Sequence, residues 1–253
     1  MNTVIQQLFF SACPGCQQEF PPGTLDPFCP ECTKRISFFD SRLRCPGCGG
    51  ENYTSLELCP QCLCEPSRPW RSALSVFAYR SFGRDLIRKF KFGNTPSLAR
   101  PFAVLLSRLI LSEFSNCPPD IIVPVPLHPL RYLSRGYNQA ALAASLVADS
   151  INIPMVNALK RRWSFRRQAA LNRSQRHAGL KNSFITVKSS RIHNRNILLL
   201  DDVLTTGATL SAAADSLIDS GAASVSIITI ARSISFSPAA LADHLKIHAK
   251  SHH

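Results

Sequence analysis

Residues 196–210, NILLLDDVLTTGATL, set two adjacent carboxylates directly before a turn of small residues. The apolar run 197–200 stops at Asp201 and Asp202, then Thr205-Thr206-Gly207-Ala208-Thr209 leads into an alanine-rich stretch. This pattern predicts a buried strand, a polar loop at its carboxyl end and a helix leaving that loop. A helix amino terminus presents unpaired N–H groups and the positive end of a dipole, which suit a phosphate. Gly207 permits close backbone approach, and the threonine hydroxyls add donors. Two carboxylates beside a phosphate cradle call for ribose hydroxyls to accept from, or a Mg²⁺ to share. An acidic pair alone after a strand is usually a solvated strand end or a helix cap; the strand–loop–helix context favours the phosphate site. The segment is neither a Walker A loop, lacking Gly-Lys-Ser/Thr, nor a G-x-G-x-x-G turn.

Eight of the ten cysteines fall in four C-x-x-C pairs: Cys13/Cys16, Cys29/Cys32, Cys45/Cys48 and Cys59/Cys62. Each pair sits on or beside turn residues, and two such knuckles supply the four thiolates of a tetrahedral zinc site. Disulfides or a redox pair are the alternatives. The first ten residues, MNTVIQQLFF, lack the basic and long apolar segments of an export signal. Four pairs within about 50 residues therefore favour two structural zinc ions. The assignment is sequential, Cys13, Cys16, Cys29 and Cys32 to one ion and Cys45, Cys48, Cys59 and Cys62 to the other; cross-bracing stays open. Cys64 and Cys117 are left over as ordinary thiols.

Charge separates two regions. Residues 1–65 hold four Lys/Arg against seven Asp/Glu, whereas the whole chain of 253 residues carries a net charge of +13. The basic surface therefore belongs to residues beyond 65. From Lys160 to Arg195 there are eleven Lys/Arg and no acidic residue, which reads as a solvated loop, a loop over polyphosphate, or a nucleic-acid track. No apolar run approaches the roughly 20 residues needed to span a bilayer, and thiolate metal sites without an export signal point to the cytoplasm.

The elements that must position these groups alternate. Strands are predicted at 73–79, 120–125, 153–156, 184–187, 197–200 and 225–230, and helices at 84–92, 96–114, 138–148 and 207–220, with Gly221 as a carboxyl cap. Such alternation implies an α/β fold with a mostly parallel sheet covered on both faces. The expected organisation is residues 1–66 as a double zinc ribbon, 67–233 as the larger domain and 234–253 as a tail. In the tail, His244, His248 and His252 read as a frayed terminus rather than a metal site.

The order of strand, acidic pair and Thr-Thr-Gly-x-Thr resembles the phosphoribosyl-pyrophosphate (PRPP) motif of type I phosphoribosyltransferases. With VPVPLHPLRYLSRGYNQA (123–140), RRQAALNRSQRHAGLKNSF (166–184) and the cysteine pairs, nearly the whole chain resembles the ComF family, competence-associated proteins with a zinc ribbon before a phosphoribosyltransferase-like domain. The resemblance implies that Asp201 and Asp202 accept from the ribose hydroxyls with Mg²⁺ nearby, and that Thr205, Thr206, Gly207, Ala208 and Thr209 hold the 5′-phosphate. It implies that Val125, Pro126 and Arg135 meet pyrophosphate, and that Gln168, Leu171, Arg173 and Arg176 lie on a loop closing over it. Phe165-Arg166-Arg167 and Gly179 depart from the family's loop pattern. The implied role is DNA uptake in natural transformation, with single-stranded DNA and the uptake machinery as partners. A housekeeping transferase acting on a base or amine, and a non-catalytic nucleotide- or DNA-binding module, are the competing readings. Nothing in the sequence selects an acceptor.

Overall fold

Among the described residues of the computed structural model (12–19, 26–54, 56–59, 62–63, 68–162 and 183–233), the strands are β1 (Ala73–Ala78), β2 (Ile121–Pro124), β3 (Leu159–Arg161), β4 (Phe184–Thr186), β5 (Asn196–Leu204) and β6 (Ser224–Arg232). β1, β6, β5 and β2 lie in that order as one sheet, and every pairing in it is parallel. Continuous Val/Ile/Leu runs suit this arrangement, because such strands are covered on both faces.

Among the described residues the α-helices are α1 (Pro30–Arg35), α2 (Ser81–Phe92), α3 (Ala99–Glu113), α4 (Pro129–Arg135), α5 (Gln139–Ile151), α6 (Ser189–Ile192) and α7 (Ala208–Asp219). Side chains alternate between the two layers with the period of a strand. Leu74, Ile122, Leu198, Leu200 and Ile228 pack with α2, α3 and α5; Ala73, Ile121, Ile197, Leu199 and Ile227 pack under α7. Phe90 and Phe102, both fully buried, contribute about 2 kcal/mol each by leaving water. No helix among the described residues is long and apolar enough to cross a membrane.

Caps fix where the helices begin and end. The Asn138 side chain accepts from the Ala140 N–H at 3.0 Å and starts α5. Gly221, at φ +93°, closes α7 as expected: its N–H donates to Ile218 O and the Ala222 N–H to Leu217 O, the paired bonds of a Schellman ending.

The register differs from expectation where it matters most. β5 does not stop at Leu200 but runs to Leu204, paired with β6 as far as Leu204↔Arg232. β2 ends at Pro124↔Leu200. The acidic pair therefore stands on a strand overhang rather than in a loop, beside the step where β2 falls short. Residues 153–156 are not a strand: only Met155 bridges to Ile122, and Pro154 has no N–H to extend a ladder. Asp120 lies before β2, its carboxylate accepting from the Asn196 N–H at 2.7 Å. The helix expected from residue 84 starts at Ser81. α4 and the antiparallel β3–β4 pair were not expected.

The cysteine-rich segment covers the free edge of β1. The Ala73 N–H donates to Pro46 O, Ala78 N–H to Ser37 O and Phe39 N–H to Val76 O, which occupies groups an exposed edge would offer to another chain. The division expected at residue 66, the basic segment 163–182 and the tail 234–253, with its histidines, lie outside the described residues.

Candidate functional site

Asp201 and Asp202 face a cavity of about 270 Å³ at the carboxyl ends of the strands, the place where open parallel sheets bind ligands. Asp202 is only 8% exposed and forms an ion pair with Lys91 of α2 at 2.7 Å. Asp201 Oδ1 accepts from the Asp202 N–H at 2.8 Å. Burial, and next the Asp202 charge, push the Asp201 carboxyl up to about 7, against the opposing pull of Lys91.

Gly207, at φ +80°, forms the turn that starts α7. A side chain would be strained there and crowded: a Cβ would lie 3.2 Å from Trp70 and 3.3 Å from Arg68. Thr205, Gly207 and Thr209 line the cavity with both aspartates. Thr206 instead accepts from the Ala208 N–H at 3.4 Å within the turn, and neither Thr206 nor Ala208 lines the cavity.

Basic residues line the same cavity, and local sequence explains them. After β2, Val125 and Pro126 line the cavity, and Asn138 Nδ2 donates to Val125 O at 3.0 Å, tying this loop to α5. Pro129 opens α4, His128 caps it and Gly136, at φ +77°, ends it. Arg131 and Arg135 sit four apart, on one helix face, and both reach the cavity with Arg161 from β3. Burial and then repulsion from Arg131 lower Arg161's proton affinity. Burial lowers that of Arg135 too, with Asp202 opposing. Partly desolvated cations that repel one another form a wall that an anion would stabilise.

Sequence reasoning placed Asp201, Asp202, Thr205, Gly207, Thr209, Val125, Pro126 and Arg135, and these come together in one cavity. Arg173 and Arg176 lie outside the described residues. Lys91, Arg131 and Arg161 were missed. Arg131 carried a signal in its four-residue spacing from Arg135; Lys91 carried only its place in a basic helix.

The cysteines gather as two sequential groups, Cys13, Cys16, Cys29 and Cys32, and Cys45, Cys48, Cys59 and Cys62, with the sulfurs of each within 4.8 Å of one another. Cys16 and Cys29 Sγ are 3.7 Å apart and Cys48 and Cys59 Sγ 3.6 Å. Four sulfurs about 2.3 Å from one zinc would be about 3.8 Å apart. The described cysteines are free of disulfides. Hydrogen bonding within the second group drives Cys45 far down and Cys62 far up, so four thiolates there need a cation to coexist. The donor set, spacing and charge all fit zinc.

The sequence profile of the phosphoribosyl transferase domain matches residues 139–246, the stretch holding β5, the turn and α7. Competence protein F of Haemophilus influenzae is 33% identical over 72% of this chain and 80% of its own length. Competence protein ComFC of Bacillus subtilis is 29% identical over 81% and 84%, respectively. DNA utilization protein YhgH of Escherichia coli is 31% identical over 75% and 84%.

Proposed function

Since this chain belongs to the ComF family, with a phosphoribosyltransferase-like fold preceded by two tetracysteine groups, we propose that its cleft binds PRPP with Mg²⁺ and that the protein acts in DNA uptake from the cytoplasm. One observation carries the reading: the acidic pair, the Gly207 turn and three arginines share a single cavity. Asp201 and Asp202 accept from the ribose 2′- and 3′-hydroxyls. The turn from Thr205 to Thr209 takes the 5′-phosphate on its N–H groups and hydroxyls. Arg131, Arg135 and Arg161, with Arg173 and Arg176 from the basic segment, receive the pyrophosphate and the charge it gains as its bond to C1 breaks. Mg²⁺, held beside Asp201 and Asp202, would supply further charge neutralisation for the pyrophosphate. Lys91 must release Asp202 or follow the ligand, since the ammonium now occupies that carboxylate. Two zinc ions, one in each tetracysteine group, complete the cofactors.

The cleft mouth also offers what a single strand needs. Phe92 is 70% exposed with the Arg135 guanidinium 4.7 Å from its ring centre, and Tyr132 stands exposed on α4. Aromatic faces interleaved with cations bind single strands by stacking and phosphate contact. Affinity for single-stranded DNA should then fall steeply with salt.

The decisive experiment is calorimetric titration of PRPP with Mg²⁺ into the wild type and the Asp201→Asn/Asp202→Asn variant. Saturable binding lost in the variant is expected. Equal binding by both would remove the acidic pair from the site, and no binding by the wild type would overturn the PRPP reading.

A further inference from the structure

We propose that Trp70 is a positioning residue linking the second tetracysteine group to the phosphate turn, so that phosphate affinity at Gly207 depends on metal in that group. This rests on the phosphate reading given above. The indole is buried and spans the gap between the two sites. At one end, Nε1 donates to Gly47 O at 2.9 Å, and Gly47 lies inside the Cys45–Cys48 knuckle. At the other end, Cη2 lies 3.2 Å from the point where Gly207 would carry a Cβ, with Arg68 Nη1 3.3 Å from the same point. The Arg68 guanidinium lies 5.2 Å from the indole centre. The turn is therefore backed by a rigid ring whose own position is set by a knuckle carbonyl.

A second strut runs beside the first. Arg232 ends β6 opposite Leu204, the residue that ends β5 just before the turn. Its buried guanidinium donates from Nη1 to Cys48 O at 2.5 Å. The Ser233 N–H donates to Leu204 O at 2.8 Å and holds the two strand ends together. Both struts thus hang from consecutive carbonyls, Gly47 and Cys48. A Cβ on Gly47 would come within 3.2 Å of Cys62 Sγ, so the knuckle is closed against the second cysteine pair. An ion binding both pairs fixes those carbonyls; an empty group frees them, along with the indole and the back of the turn. Anion sites lose affinity when their donors must be ordered at the moment of binding.

The test uses Trp70→Phe, which keeps a ring but removes the N–H donor, and Cys62→Ser, which weakens metal binding in the second group. Zinc content and thermal unfolding verify each variant. Ribose 5-phosphate affinity is measured calorimetrically in wild type, both single variants and the double variant. Trp70→Phe should lose about five- to tenfold, the worth of one neutral hydrogen bond, Cys62→Ser, which frees both struts, at least as much, and the double variant no more than Cys62→Ser alone. Zinc stripping and re-addition, followed by Trp70 fluorescence in a Trp163→Phe background, should shift emission to the red and back in step with affinity, and serves if Cys62→Ser does not fold. Unchanged affinity in Trp70→Phe, or losses that multiply in the double variant, would overturn the coupling and leave the phosphate site standing. No ribose 5-phosphate binding by the wild type would overturn both.

Discussion

The two tetracysteine groups share one local design and differ in what they hold. Each opens with the same hairpin: Cys13 N–H to Gln18 O and Gln17 N–H to Cys13 O in the first, Cys45 N–H to Gly50 O and Gly49 N–H to Cys45 O in the second. Three cysteines of the first group are sunk in the main core, where Cys13, Cys29 and Cys32 share one apolar cluster with Phe82 and Leu86 of α2, and Cys16 is exposed. The second forms a small cluster of its own and is joined to the sheet by polar bonds through Trp70 and Arg232. The same donor set is thus tied in differently: apolar packing makes the first group part of the core, and directed hydrogen bonds join the second to residues behind the cleft.

Disabling the first group should have the largest effect. Cys13→Ser/Cys32→Ser forfeits metal binding on the order of 10 kcal/mol and opens the core over α2. Thermal unfolding should show the larger domain weakened too; loss confined to residues before 66 would break the contrast. Gly15→Ala comes next. Its Cβ would sit 2.8 Å from Phe82 Cζ and 2.9 Å from Cys32 Sγ, an overpacking worth about 3 kcal/mol, with PRPP affinity in the folded protein unchanged by calorimetry.

On the cleft side, Gly207→Val forces a branched side chain into positive φ against Trp70 and Arg68. About 2 kcal/mol of stability should be lost and PRPP binding abolished, while metal analysis still finds two zinc ions. Normal PRPP binding would remove the turn from the site. Per unit step, the smallest effect is that of pH. Asp201 titrates near 7 in the fold against an ordinary 3.8, so the folded state holds its proton more tightly. That stabilisation is complete below about pH 4 and is lost as pH rises through 7, at up to about 1.4 kcal/mol per pH unit. Denaturant unfolding should show the decline, and Asp201→Asn should flatten it.

Local chemistry made much of this legible. The run 197–200, Gly207 and the Gly221 cap each state their conformation within a few residues, and C-x-x-C spacing states a metal knuckle. What escaped depends on neighbours distant in sequence. β5 continues through Asp201 because β6 runs alongside to Arg232, a partner the acidic residues do not announce. Lys91 meets Asp202 only once α2 packs on the sheet, and Trp70 and Arg232 read as ordinary residues until the Cys45–Cys48 knuckle docks on β1. Pro154 was a local signal, and its missing N–H should have argued against a strand.

The most direct measurement is a crystal structure of the protein grown with PRPP and Mg²⁺. The account predicts ribose hydroxyls against Asp201 and Asp202, the 5′-phosphate on the Thr205 to Thr209 turn, and pyrophosphate facing Arg131, Arg135 and Arg161. PRPP bound elsewhere, or bound in the cleft with its 5′-phosphate away from Gly207, would contradict it.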